Sequence, residues 1–120
     1  MNKIIIGIYD EHKLVQEGIM MLLKDAENIE TGITVNSKNQ LFESLRTMQP
    51  HILIINLYEM TTPNLNLITQ INVNYPKIKI LIISVHNEED AVLKTIKAGA
   101  KGFLSKDTDR NELIEAIYIL

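Results

Sequence analysis

The sequence predicts an α/β domain: a doubly wound parallel sheet of five strands in the order 2-1-3-4-5, with five helices on its faces. Five short apolar runs alternate with five helical patterns along 120 residues. Three of the runs are nearly continuous and rich in Ile, as strands covered on both faces are. The stretches between them carry helix start and stop signals of their own. A strand–helix alternation repeated in this way folds as a parallel sheet with right-handed crossovers. In the usual five-strand order the winding reverses between the first and third strands, which opens a crevice at their carboxyl ends.

The first run, KIIIGIY (3–9), leads into the acidic pair Asp10-Glu11. On a helical wheel the next stretch turns Val15, Ile19 and Leu22 inward and leaves Met20 on the polar face with Lys13 and Lys24. IETGITV (29–35) is less apolar and alternates, as an edge strand does. Ser37 and Gln40 form a capping box ahead of LFESLRTM. Pro50 closes that helix before HILIINL (51–57), and Pro76 closes the third before KIKILIIS (77–84). Asn87 precedes Glu88-Glu89-Asp90, which puts acids in a first helical turn where the dipole favours them. Gly99 ends that helix. GFLS (102–105) is the fifth run, and Asp109 with Glu112 opens the last helix. There Leu113, Ile117 and Leu120 make the core stripe, Ile119 lies opposite and Tyr118 flanks it. The final Tyr118-Ile119-Leu120 reads as a cut inside or just after a helix that normally continues.

The length suits one domain, residues 1–120, with a core of its own. Net charge is −3 without a basic patch, so no nucleic-acid surface is expected. The chain has no cysteine, which excludes disulfides and thiolate chemistry. Ile4 to Tyr9 is too short for a signal segment or a membrane span, so the expected compartment is the cytoplasm.

The strand ends deliver polar residues to one edge of the sheet. Asp10-Glu11 follow the first strand, Asn56 ends the third, Ser84 the fourth, and Lys106 follows the fifth. Polar strand ends often do no more than meet water, but several around a switch point indicate a site. Adjacent acids suit a hard cation such as Mg²⁺, while a Lys and a Ser suit an anionic oxygen group. YDEHKL is acidic where a nucleotide loop needs Gly, and no G-x-S-x-G surrounds Ser84. His12 and His86 fall near the crevice and form, with Asp10, a weaker candidate for a soft metal. His51, at the opposite edge, is expected to be structural.

The stretch YDEHKLVQEGIMMLL resembles the opening of response-regulator receiver domains, most of all those carrying a LuxR-type helix-turn-helix output domain. AGAKGFLSKD is similarly typical of the entry to their last strand, and the resemblance spans essentially the whole chain. It implies a CheY-like, flavodoxin-like fold and a role for each strand end. Asp10 and Glu11 fall on the Mg²⁺-binding acids, with the backbone carbonyl of Tyr58 as a further ligand. Asn56 falls on the phosphoacceptor Asp. Ser84, Phe103 and Lys106 fall on the switch and phosphoryl-contact positions. The implied partners are a sensor histidine kinase or other regulatory protein, a C-terminal DNA-binding output domain, and a second copy in a homodimer. Tyr118 and Ile119 are the interface candidates. No membrane contact is implied.

Three departures from the family pattern bear on mechanism. Glu11 stands where Asp is commoner, Glu59-Met60 replaces a Met-Pro pair, and Asn56 replaces the nucleophile. A carboxamide is a poor nucleophile and brings no charge, so phosphorylation at residue 56 is not expected, Mg²⁺ binding should weaken, and Lys106 is expected to turn to Asp10 or Glu11. The expected function is therefore a non-enzymatic receiver of a transcription regulator. The alternatives are a conventional receiver with an engineered Asp-to-Asn change, or a small metal-dependent flavodoxin-like enzyme using Asp10, Glu11 and Lys106. The altered Glu11 and Glu59-Met60 favour a native Asn56, since an engineer would have changed one residue.

Overall fold

The computed structural model describes residues 3–120. Its elements run β1 (Ile4–Tyr9), α1 (Lys13–Leu23), β2 (Ile29–Val35), α2 (Lys38–Thr47), β3 (Ile52–Leu57), α3 (Thr62–Asn74), β4 (Lys79–Ser84), α4 (Glu89–Ala98), β5 (Gly102–Ser105) and α5 (Arg110–Ile119). The sheet is parallel throughout, in the order β2-β1-β3-β4-β5. This is the predicted topology.

Side-chain alternation along the strands divides the core in two. Leu53, Ile55 and Leu57 of β3 face one side, where they meet Leu41 and Leu45 of α2 and Leu67, Ile68 and Ile71 of α3. Ile52 and Ile54 face the other, against Ile19 and Leu23 of α1 and Leu113 and Ile117 of α5. Burying each such side chain contributes about 1.5–3 kcal/mol. Residues two apart share a face, so Asn56 continues the Ile52–Ile54 row towards α1 and α5. The β2 edge alternates as expected, with Ile29, Ile33 and Val35 buried and Glu30 exposed.

Cap chemistry fixes most helix starts. Ser37 Oγ accepts from the Gln40 N–H at 3.2 Å, and Gln40 Oε1 accepts from the Asn36 N–H at 3.0 Å. Asp109 accepts from the Glu112 N–H at 2.9 Å. Thr61, a cap the sequence analysis did not single out, accepts from the Asn64 N–H at 3.4 Å, with Pro63 in the first turn of α3. Gly99 closes α4 at φ 127°, where a Cβ would lie 2.7 Å from the Asn72 side chain. His51 is structural, as expected: its Nδ1 accepts from the Ile5 N–H at 2.9 Å and its own N–H donates to the Ile5 carbonyl at 2.9 Å.

Glu89 and Asp90 lie in the first turn of α4, as expected; extended Glu88 precedes the helix without a side-chain cap, and the Asn87 amide donates to Ser105 Oγ at 3.3 Å. Two local expectations are corrected. In α1 the buried residues are Gln16, Ile19 and Leu23, while Leu22 is 38% exposed. The wheel is rotated because Gln16 lies inward, donating to the carbonyls of Asp10, at 3.3 Å, and Val35. Lys106 does not turn to Asp10 or Glu11, for a reason given by Tyr58 below. In α5 the stripe is as read: Leu113 and Ile117 are buried, Leu120 packs beside them, and Ile119 is 76% exposed. Tyr118 is half-exposed, and its hydroxyl donates to the Glu27 carbonyl.

Candidate functional site: an acidic pocket closed by tyrosine

The polar residues do gather at the carboxyl edge between β1 and β3. Asp10 is 1% exposed and forms the hub. Its Oδ1 accepts from the His12 N–H at 2.8 Å and from the Tyr58 hydroxyl at 2.7 Å. Its Oδ2 accepts from Asn56 Nδ2 at 2.8 Å. The amide orientation of Asn56 follows from this contact, because only the nitrogen can donate to a carboxylate. Asn56 Nδ2 also lies 3.4 Å from the Tyr58 hydroxyl. Asn56 Oδ1 is buried and, among the described residues, has no hydrogen-bond partner. An unpaired buried acceptor costs about 1–3 kcal/mol, so the donor contact to Asp10 is made at the expense of the other end of the amide.

Tyr58 is held from several sides. Its ring lies 4.8 Å from that of His12, tilted by 57°. Lys106 Nζ sits 4.6 Å from the ring centroid, a cation–π contact worth about 0.5–1 kcal/mol at an exposed site. This is where Lys106 goes in the absence of an acid at residue 56. The Tyr58 carbonyl accepts from His86 Nε2 at 3.1 Å, which fixes the proton of that ring on Nε2. Ser84 is fully buried; its Oγ accepts from the His86 N–H at 3.0 Å and its carbonyl from the Lys106 N–H at 3.1 Å. Ser84 thus braces the turn carrying His86, and among the described residues it makes no hydrogen bond to Asn56. Phe103 is partly buried against the α2–α3 core.

Two cavities flank Asn56. One, of about 210 Å³, is lined by Tyr9, Glu11, Tyr58, Glu59 and Asn64 as well as Asn56. The other, of about 140 Å³, lies towards α1 and α5 between Val15, Ile19, Leu104, Lys106 and Leu113. Glu11 and Glu59 are exposed at the rim of the first.

As folded, the pocket does not fit a divalent cation. Both Asp10 oxygens are engaged, the Tyr58 carbonyl is taken by His86, and the Asn56 amide has turned its nitrogen to the acid. Among the described residues no three His, Asp or Glu side chains converge. The pairing of His12 and His86 with Asp10 is likewise not made: His12 Nδ1 is 3.7 Å from Asp10 Oδ1, but His86 faces the Tyr58 carbonyl.

Burial raises the pKa of the Tyr58 phenol well above its ordinary value, helped by the hydrogen bond to Asp10 and by the charges of Asp10 and Glu11. Burial, then Glu11 and Asp10, raises that of Tyr9 as well. A proton held more tightly in the folded state stabilises it, fully so below the unfolded pKa of about 10 and less as pH rises through the folded one. Tyr58→Phe should therefore flatten the alkaline loss of stability above pH ~10, read from urea unfolding across that range. An unchanged profile would count against the bond to Asp10.

Sequence reasoning missed the Tyr58 side chain and Gln16. Residues 56 and 58 are two apart at the end of an extended strand and so project to the same side. Positions 16, 19 and 23 share a helical face. Both spacings were legible signals.

A parallel sheet wound about β1 and β3, with an acid hub at its switch point, defines a small flavodoxin-like α/β domain. The family described as "Response regulator receiver domain" matches residues 6–118, and the chain belongs to it. The chain is 28% identical over 119 residues to the transcriptional regulatory protein DegU of Brevibacillus brevis, covering 99% of this chain and 50% of that protein. It is 30% identical over 114 residues to the oxygen regulatory protein NreC of Staphylococcus epidermidis, covering 93% and 52%. The chain thus spans about half the length of the curated relatives it matches. In structure it is similar to the signal receiver domain of the response regulator NarL from Mycobacterium tuberculosis, with a TM-score of 0.87 at 21% identity, covering 99% of this chain and 96% of that one. A response regulator from Thermotoga maritima gives 0.88 at 20% identity, covering 99% and 97%.

Proposed function

We propose that this receiver is the input domain of a transcription regulator and that it works without a phosphoryl group on residue 56. The observation carrying this is the Asn56 amide: its nitrogen donates to Asp10 at 2.8 Å, so the position that presents a nucleophile in the family is here a hydrogen-bond donor. Phosphoryl transfer needs an ionised oxygen nucleophile in line with the donor phosphate, and an amide nitrogen bound to a carboxylate is none. Asp10, Glu11 and the Tyr58 carbonyl correspond to the family's metal ligands; with Asn56 neutral, and with Asp10 and the Tyr58 carbonyl engaged by the protein's own donors, they do not make a Mg²⁺ site as folded. Ser84, Phe103 and Lys106 keep the switch positions without a phosphoryl group to contact.

The domain acts by conformation and protein contact and not as an enzyme, in the cytoplasm, through a sensor kinase or another regulatory protein. A DNA-binding output domain of the LuxR type in the full-length protein supplies the nucleic-acid contact. Exposed Ile119, beside Tyr118, supplies packing surface for that domain or for a second copy. The names of the relatives, a transcriptional regulatory protein and an oxygen regulatory protein, support a regulator of this kind.

The alternative of a conventional receiver with an engineered residue 56 gains nothing from the engaged Tyr58. A metal-dependent enzyme gains nothing from Lys106, which lies on an aromatic ring. Incubation with acetyl phosphate and Mg²⁺, followed by intact mass measurement, is expected to show no phosphoryl adduct. A stoichiometric, hydroxylamine-sensitive adduct would sink the proposal.

A further inference from the structure

The buried acid beside the 210 Å³ cavity is capped by the protein's own donors, and the Tyr58 hydroxyl is one of them. Asp10 Oδ1 already accepts two donors, the His12 N–H at 2.8 Å and the Tyr58 hydroxyl at 2.7 Å. A cation cannot approach the lone pair to which a hydroxyl proton is directed. The Tyr58 carbonyl, the backbone ligand position that the family resemblance implies, is occupied by His86 at 3.1 Å. That leaves Glu11 and Glu59, both exposed, as the uncommitted acids lining the cavity, while Asp10, the one buried acid among the described residues, is already engaged. Hard divalent cations need several oxygen ligands and more than one negative charge.

We infer that Tyr58 decides what this pocket can hold: its hydroxyl stands on Asp10 where an external ligand would otherwise bind, and so excludes divalent cations whichever residue occupies position 56. The inference deepens the proposal that the domain works without phosphate and rests on it, but it assigns the closure to a different residue. Asn56 removes the nucleophile; Tyr58 removes the cation. The grip of His12, Lys106 and His86 on the tyrosine makes the closure a feature of the whole pocket edge and not of one rotamer. Restoring Asp at 56 alone then leaves the pocket shut.

The test is Mg²⁺ titration by calorimetry on four proteins: the parent chain, Tyr58→Phe, Asn56→Asp and the double variant. Tyr58→Phe keeps the ring, and with it the His12 and Lys106 contacts, while deleting the hydroxyl. The double variant is expected to bind Mg²⁺ at least about tenfold more tightly than Asn56→Asp, a difference of about 1.4 kcal/mol. Tyr58→Phe should also bind more tightly than the parent. Mn²⁺ added to the isotope-labelled double variant should broaden the His12 and Asp10 resonances first, which places the ion at the pocket. A merely structural tyrosine would change unfolding midpoints in EDTA without changing affinity. Equal affinities with and without the hydroxyl in both backgrounds overturn the inference, and leave the absence of phosphotransfer to the mass measurement above. A phosphorylated parent chain, conversely, overturns that function while the titration still reads the tyrosine.

Discussion

Asn56→Asp is expected to lower the unfolding free energy at pH 7 by about 2 kcal/mol, the worth of a hydrogen bond to a charged acceptor lost to like-charge contact. The substitution exchanges the donor nitrogen, 2.8 Å from Asp10 Oδ2, for a carboxylate oxygen at the same place. Two ionised carboxylates at that distance raise each other's proton affinity. A raised carboxyl pKa means that stability is held in acid and lost as pH rises, so the deficit should shrink below pH ~5, where one proton restores a donor between the acids. Urea unfolding at both pH values checks this. A variant as stable as the parent at pH 7 would mean that Lys106 has left the Tyr58 ring to neutralise the new charge, and the cation–π contact would then be the weaker attachment.

Ile54→Ala should cost still more, roughly 3 kcal/mol. Ile54 is fully buried in the central strand, in the row that ends on Asn56, and packs in the cluster formed with α1 and α5. Its removal enlarges the space beneath the 140 Å³ cavity that Asn56 already lines. Domains of this size are stable by about 5–15 kcal/mol, so a large part of the total would go. Ile119→Ser, at a residue 76% exposed, serves as the control and should stay within about 0.5 kcal/mol of the parent. Denaturant midpoints decide the matter; an Ile54→Ala loss no greater than that of the control would put the load of the fold elsewhere than β3.

The fold was legible because Ile runs and cap signals are local. Ser37-Gln40 and Asp109-Glu112 each close within one turn, and β3 announces itself in six buried residues. The strand-end residues were legible for the same reason, since a sheet's winding carries them to one edge. What escaped depends on partners far along the chain. Asn87 stands in sequence only as the residue before the acids of α4, yet its amide finds Ser105, 18 residues away. The Leu22 phase failed because Gln16 reaches Val35, 19 residues on. The sequence offers only the carbonyl of Tyr58, because its ring is placed by Asp10, 48 residues earlier, and by Lys106. The destination of Lys106 escapes the sequence for the same reason: an aromatic face is not visible as a partner until the loop carrying it is folded.

Because Asn56 and Tyr58 draw on the two oxygens of a single Asp10, they are not independent positions in sequence space. On the function proposed above, the one-nucleotide change that turns an Asn codon into an Asp codon would not by itself open the site to phosphate signalling, because the hydroxyl at 58 would still stand on Asp10. The order of the two changes is then constrained, and receivers with the amide but without the tyrosine are expected to revert more readily than this one.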